Sequence, residues 1–401
     1  MTNTLLTSTM VTRKALKILH QKLNFVGSIT REYDDSFANT GAKIGDSLKI
    51  RLPNRYTVRT GKTLQAQDTV EASETLTVGT QKGVDMNFSS AELTLSIDDF
   101  SERVIEPAMS VLAAGIEADA LSMYKDVYNQ VNNQGSAATF AKVLAGRKQL
   151  VDNLIPPGDR HVVLNTQDNV DMVDGLKALF NDQTSLAKQF REGYLGRTAG
   201  FDFSENTLLP SHARGAENTA YTTDTTTAQM PSSATALSTL TFASGSGAGV
   251  KGDIFTIAGV YRVHPETKVS TGVLQQFALT ADIASGATTG IGITPAIVTS
   301  GPRQNVTVTT TSATAATTWA GTASTNYGVS LAYHKSAFAL ATADLVMPKG
   351  VDFGAREVFD GISLRIVRQY DINNDNLPCR VDVLYGYKTI RPQLATRLAN
   401  N

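Results

Sequence analysis

Cysteine is nearly absent: Cys379 is the only one in 401 residues. A single thiol closes no intramolecular disulfide, which suits a chain folded in a reducing cytosol and leaves a disulfide-free secreted protein open. Charge is scarce as well. Asp, Glu, Lys and Arg make up 18% of the residues, against roughly a quarter in ordinary globular proteins. The two signs nearly cancel, to a net charge of -1. That balance lacks the strong basic excess of a protein whose main work is coating nucleic acid, although one basic face remains open. It also lifts a brake on self-association, because identical copies barely repel one another. No run of 18 apolar residues occurs, so no membrane-spanning helix is expected. Met1–Met10 is rich in Thr and Ser and the basic residues follow it, which is not the order of a secretory leader.

Catalytic motifs are equally thin. Gly247-Ala248-Gly249-Val250-Lys251-Gly252 has the glycine spacing of a dinucleotide-binding turn. That chemistry needs a helix next, whose N-terminus holds the pyrophosphate, and Asp253–Val263 reads as strand. A glycine turn between two strands explains it better. Gly61-Lys62-Thr63 matches the end of a phosphate-binding loop, but Tyr56 stands where that loop requires glycine. His20, His161, His212, His264 and His334 lie far apart and form no helical zinc pair. There is no Gly-x-Ser-x-Gly elbow, and no histidine neighbours Cys379. Asp98-Asp99 and the Asn373–Asn376 run read as a helix cap and a turn, since neither has a calcium loop's spacing. No catalytic, cofactor or metal residue is assigned. The histidines and Cys379 are expected to stand apart from acidic groups.

What the chain does contain is a succession of distinct segments. Val11–Leu23 carries Val11, Ala15, Leu16, Leu19 and Leu23 at helical spacing, with Arg13, Lys14, Lys17 and Lys22 on the basic side. Ser47–Leu52 alternates strictly, and Glu74–Val78 and Val84–Phe88 read as returning strands. Between them, Pro53–Ser73 has almost no apolar pattern. It carries Arg55, Arg59 and Lys62 outward, and the return carries Asp68, Glu71 and Glu74. A connection of this length without its own core is functional or disordered; here it reads as a projecting β-hairpin. Asp98–Val131 is the strongest helical pattern, with Asp99 and Glu102 as a capping box. From Pro107 onward, Met109, Leu112, Ile116, Ala120, Met123 and Val127 form one stripe, and Pro107–Val131 would span about 38 Å at ~1.5 Å per residue. Phe140–Asn153, Asn169–Phe180 and Leu186–Phe190 read as helices, His161–Asn165 as a strand, and Gly193–Pro210 as strand and turn.

Near Ser211 the style changes. Only nine of the 114 residues from Glu217 to Ser330 are charged, and Thr, Ser, Ala and Gly dominate. Leu237–Ala243, Asp253–Val263, Leu274–Thr280 and Asn305–Thr311 are short strand candidates, fitting a small antiparallel barrel or sandwich. The other reading of such composition is a disordered linker, but the Ile254–Tyr261 run is too apolar for that. Beyond it, Ala337–Leu345 reads as helix, and Leu364–Asp371 and Arg380–Tyr387 as two long strands.

Tyr327–Pro348, Lys251–Phe277 (Lys-Gly-Asp-Ile-Phe-Thr-Ile-Ala-Gly-Val-Tyr-Arg-Val-His-Pro onward) and Ala199-Gly200-Phe201-Asp202 resemble the major capsid proteins of tailed bacteriophages, in the podovirus branch with an inserted domain. The resemblance implies an α+β fold of the Hong Kong 97 capsid type. Its parts would be an N-terminal arm (1–45), an extended hairpin loop (46–90), and a spine helix with peripheral and first axial parts (91–216). An inserted antiparallel β-barrel-like domain (217–325) and the remaining axial and closing strands (326–401) would follow. It further implies pentamers and hexamers of the chain itself, a scaffolding protein, a portal protein and packaged double-stranded DNA held non-specifically. Location in a virion assembled in the host cytoplasm, with no membrane partner, cofactor or active site, also follows. On this reading Arg55, Arg59, Lys62, Asp68, Glu71 and Glu74 are inter-subunit contact candidates, and Arg13, Lys14, Lys17 and Lys22 face the shell interior. A β-rich tail or adhesin component is the alternative, disfavoured by the long helix. A hydrolase with a dispersed site is the second.

Overall fold

The computed structural model describes residues 8–34, 47–64, 66–67, 71–89, 105–176, 196–217, 221–225, 230, 233–309, 314–351, 353–359, 361–372 and 376–401. The Asp99/Glu102 cap, the Leu186–Phe190 helix, Asp68 and most of the Asn373–Asn376 turn fall outside them. The chain divides into two compact units. The first comprises Met1–Ile50, Ser73–Leu121 and Phe338–Ile390; the second comprises Arg51–Ala72, Ser122–Ala337 and Arg391–Asn401.

Helices α1 (Ser8–Lys22), α2 (Phe25–Ser28) and α3 (Glu106–Leu121) belong to the first unit. The helical spacing read over Val11–Leu23 does form α1, and Ala15, Leu16 and Leu19 are buried. Glu117 of α3, itself buried, accepts the backbone N–H groups of Asn24 at 3.1 Å and Phe25 at 2.5 Å. It thereby satisfies donors at the start of α2 that have no partner within that helix. The helices pack with a six-stranded sheet in the order Thr30–Asp34, Phe338–Ala343, Asn376–Thr389, Ile362–Arg368, Phe353–Phe359; Thr80–Ser89 also pairs with Asn376–Thr389.

Two expectations fail in or beside this unit. Ala337–Leu345 is not a helix: after a short 3-10 turn, Phe338–Ala343 is a strand, hydrogen-bonded on both sides and buried at every position. A strand buried on both faces shows no polar alternation, and its alanines carry a helix propensity that tertiary pairing overrides. The spine helix also stops short. α3 ends at Leu121, a length of about 24 Å at ~1.5 Å per residue. A 3-10 turn at Ser122–Asp126 and a strand at Gln130–Asn132 replace its expected second half. The whole stripe from Met109 to Val127 is buried nonetheless. The pattern foretold burial, and only part of it is helical.

The second unit contains α4 (Phe140–Asp152), α5 (Thr166–Leu176) and two sheets. One sheet has seven strands, ordered Gln130–Asn132, Ala395–Ala399, Asn326–His334, Arg160–Leu164, Phe201–Glu205, Arg197–Thr198, with Ser211–Ala213 paired to Asn326–His334. The other has eight, all drawn from Thr222 to Trp319: Leu237–Leu240, Ile291–Ile297, Ser270–Leu279, Ile254–Val263, Ala315–Trp319, Thr222–Thr223, Phe242–Ser244, with Val306–Val308 paired to Ile254–Val263. This β module has its own core. Phe255 lies 4.7 Å from the Trp319 ring and 5.8 Å from Phe277, and Tyr221, Phe242, Ile257 and Val260 close around them. The four strand candidates read in the sequence fall on strands. Ile291–Ile297, with Gly292 and Pro295 inside it, and Ala315–Trp319 in its Thr/Ala surroundings were not read as strands.

Candidate assembly elements and the buried root of the β module

Ser47–Leu52 and Ala72–Thr77 pair as a two-stranded ladder. Beyond it the loop has no strand pairing among the described residues, so the projecting hairpin is β-structured only at its base. One side chain ties its limbs. Gln67 accepts the Thr57 N–H through Oε1 at 2.8 Å and donates from Nε2 to the Thr57 carbonyl at 2.6 Å, imitating a rung of a ladder. Arg59 curls back on the tip and donates to the carbonyls of Gly61 and Thr63. Val58 is 94% exposed and Leu64 82%.

Arg55, Lys62 and Glu71 are exposed; Glu71 meets Arg51 at 3.5 Å and Glu74 meets Lys388 at 2.8 Å. Among the described residues no ion pair joins the basic limb, Arg55, Arg59 and Lys62, to the acidic residues opposite. Arg13, Lys14 and Lys17 lie exposed along α1, and Arg13 reaches Glu357 at 3.4 Å. The side chain of Lys22 is outside the described residues.

A buried polar cluster lies elsewhere, and the sequence did not reveal it. The chain enters the β module through Ser211–Glu217, and Thr325 accepts the Arg214 N–H where it leaves. At that root the buried His212 places Nε2 2.8 Å from Asp253 Oδ1 and Nδ1 3.0 Å from the Tyr124 hydroxyl. With Nε2–H donating to the carboxylate, Nδ1 accepts from the phenol. Asp253 Oδ2 accepts from the Gly215 N–H at 3.1 Å and the Val250 N–H at 2.6 Å. Gly252, at φ +98°, makes the turn that brings these groups together.

Its carbonyl accepts from Nη2 of Arg397 at 2.7 Å. Arg397 is fully buried, with its guanidinium 5.8 Å from the Tyr124 ring centre. Arg214 donates to the Glu217 carbonyl at 2.8 Å, and its Nε lies 3.4 Å from Glu217 Oε1. Burial first, and the Asp253 charge second, push the Glu217 carboxyl up to about 8. Burial likewise pushes the Tyr124 phenol up to about 12.

The expectation that histidines stand apart from acids therefore fails at His212. The two partners are 41 residues apart in sequence, and only the fold joins them. The cluster is sealed from solvent: the His212 side chain is 1% exposed and that of Asp253 is not exposed. No substrate reaches it, and no metal-type cluster of three ligands occurs among the described residues. His264 accepts from its own turn, His334 sits on Ser336, and His161 packs on Tyr333. Cys379 is buried, and that burial raises its thiol to about 11, so it is no ready nucleophile.

The family model for the P22 coat protein, gene protein 5, matches residues 1–397. The chain belongs to that family. It is a structural, capsid-forming protein of the virion and not an enzyme, with a β-rich α+β fold. No curated protein matches it. Similar solved structures include a chain of Mycobacterium phage Che8 at 13% identity and a TM-score of 0.46, covering 94% of this chain and 90% of that one. Another is the capsid of Cyanophage P-SCSP1u, at 12% and 0.45, covering 93% and 86%. A virus-like particle from Pyrococcus furiosus stands at 7% and 0.40, covering 97% and 98%. For such a coat subunit, the exposed loop and the basic face of α1 are the surfaces to examine, and the buried root is internal architecture.

Proposed function

We propose that this coat subunit assembles as pentamers and hexamers, around a scaffolding protein, into an icosahedral head with a portal that encloses packaged double-stranded DNA. The projecting hairpin Pro53–Ser73 would lie across an adjacent copy, with Arg55, Arg59, Lys62, Asp68, Glu71 and, just beyond it, Glu74 as its charged contacts. Residues 217–325 would act as a domain inserted into the axial part of the fold. The basic side of α1, with Arg13, Lys14, Lys17 and Lys22, would face the shell interior and meet scaffold or phosphate by salt-sensitive, non-specific attraction.

The observation that carries this reading is the loop itself. Val58 and Leu64 are left in solvent at 94% and 82% exposure, and no core is formed among the described residues of the loop. A segment with so little burial gains order by docking on another surface. Expression with a scaffolding partner, followed by size exclusion and negative-stain imaging, tests the proposal. Closed shells of uniform size are expected, and monomers or open aggregates under all conditions would overturn it.

A further inference from the structure

The root of the β module gathers five buried ionisable groups, His212, Arg214, Glu217, Asp253 and Arg397. Glu217 and Asp253 are both buried, and they share the backbone of Gly215. Gly215 N–H donates to Asp253, and its Cα side is so close to Glu217 Oε2 that a Cβ there would meet that oxygen and the Ala248 carbonyl. The Asp253 carboxylate is surrounded by three donors, on His212, Gly215 and Val250. Glu217 has much less. Its Oε1 lies a long 3.4 Å from Arg214 Nε, and Oε2 is buried without a donor. Arg214 spends its other nitrogens on the carbonyls of Glu217 and Gly321.

We propose that this pair of carboxyls is a proton-operated latch: protonated Glu217 closes the root by donating to Asp253, and loss of that proton sets two buried carboxylates against each other and loosens the module from the seven-stranded sheet.

The elements packed on the site supply the other charges. Arg214 and His212 come from the entry segment, and Tyr221 lies just beyond Glu217. Tyr124 comes from the 3-10 turn, where Asp126 pairs with Lys251 at 3.0 Å. Tyr327 and Arg397 come from two strands of the sheet. Arg397 already serves the Gly252 carbonyl, and Lys251 is taken up by Asp126. Neither is among the charges that act on Glu217, where Arg214 is the cation. The latch sits where it matters mechanically, because entry strand, exit segment and the Val250–Asp253 turn all meet there. Ser324 N–H bonds to the Gly215 carbonyl, and Arg214 bonds to Gly321 and Thr325.

The sign follows from the raised carboxyl. The folded root keeps a proton up to about pH 8, which the unfolded chain loses near its ordinary value of 4.5. Between those values the folded state binds more protons, so stability falls as pH rises and levels off above about 8. Trp319, the only tryptophan, lies in the module core and reports its opening. Urea unfolding of the full chain, followed by Trp319 emission from about pH 6 to 9, is the test. The opening equilibrium should rise roughly tenfold or more over that range and then flatten. Glu217→Gln, which keeps the shape and cannot ionise, should abolish the dependence. A variant with the wild-type slope overturns the latch. Should that variant fail to fold, the wild-type chain decides alone: a midpoint level from pH 6 to 9 overturns the proposal, and one that falls toward pH 8 and then levels supports it.

Discussion

Replacing Phe255 by alanine removes the centre of the β module's core. The ring is fully buried, 4.7 Å from Trp319, 5.8 Å from Phe277 and 6.1 Å from Phe242. Truncating a buried phenylalanine costs roughly 3–5 kcal/mol, as lost transfer energy plus the cavity left behind. Each aromatic pair lost adds on the order of 0.5–1.5 kcal/mol, partly contained in that figure. Relaxation is limited here. The strand holding Phe255 pairs with Ser270–Leu279 on one side and Ala315–Trp319 on the other, so the backbone cannot readily collapse into the hole.

The expected loss is about 4 kcal/mol, near the upper part of what single substitutions do. It is read as a lowered urea midpoint with Trp319 emission, which should also shift to the red in the folded state as the ring gains solvent. Val58→Ala is the control: at 94% exposure it should leave the free chain within about 0.5 kcal/mol of wild type. A Phe255→Ala loss below about 1 kcal/mol would refute the argument that this aromatic set is what holds the module together.

Asp382, 1% exposed, accepts two bonds from Arg365 at 2.9 and 2.6 Å and one from Gln81 at 2.6 Å; Asp382→Ala strands a half-buried guanidinium and should cost about 3 kcal/mol in a circular-dichroism melt. Gly386→Ala puts a Cβ within 2.1 Å of the Thr77 carbonyl, so a strand must move, and a loss of about 1–3 kcal/mol in the same melt is expected. Arg59→Glu should leave the melting temperature of the free subunit nearly unchanged and reduce shell yield in sedimentation; normal assembly at both low and high salt would count against an inter-subunit electrostatic role for the loop.

Where a segment buries one face, its period was readable. α1, α4 and Ser47–Leu52 were all legible from spacing, and so was the burial of the Met109–Val127 stripe. Segments buried on both faces, or built from small residues, were not. Phe338–Ala343 looked helical because alanine favours helices, and Ala315–Trp319 had no apolar contrast with its neighbours. The break after Leu121 has no proline or glycine to announce it. Just past it, Tyr124 in the 3-10 turn meets a histidine 88 residues further on. The root cluster was hidden for the same reason. Its members come from five stretches of the chain, each carrying one to three polar residues of no distinctive spacing. The loop, by contrast, was visible as an absence of pattern.

The sparse charge of the module gains a meaning from where that charge sits. Lys251 pairs with Asp126 at 3.0 Å and Arg262 with Asp152 at 3.1 Å, both outside the module's sheet, and Asp253 serves His212. Asp282 accepts the Lys251 N–H at 2.7 Å, and Glu217 lies at the root. Five of the nine charged residues between Glu217 and Ser330 thus fasten the module to its own unit or close its own turns. What remains for a neighbouring copy is mostly Thr, Ser and Ala. Contacts made by such a surface depend on shape and hydrogen bonds, which salt screens little, whereas exposed ion pairs of the loop are worth only ~0–1 kcal/mol each and are screened within about 10 Å at 0.1 M salt. Salt dependence of assembly should therefore trace to the loop and α1. Neutralising Glu266, an exposed charge of the module, should leave it unchanged, while neutralising Arg55 and Lys62 together should flatten it.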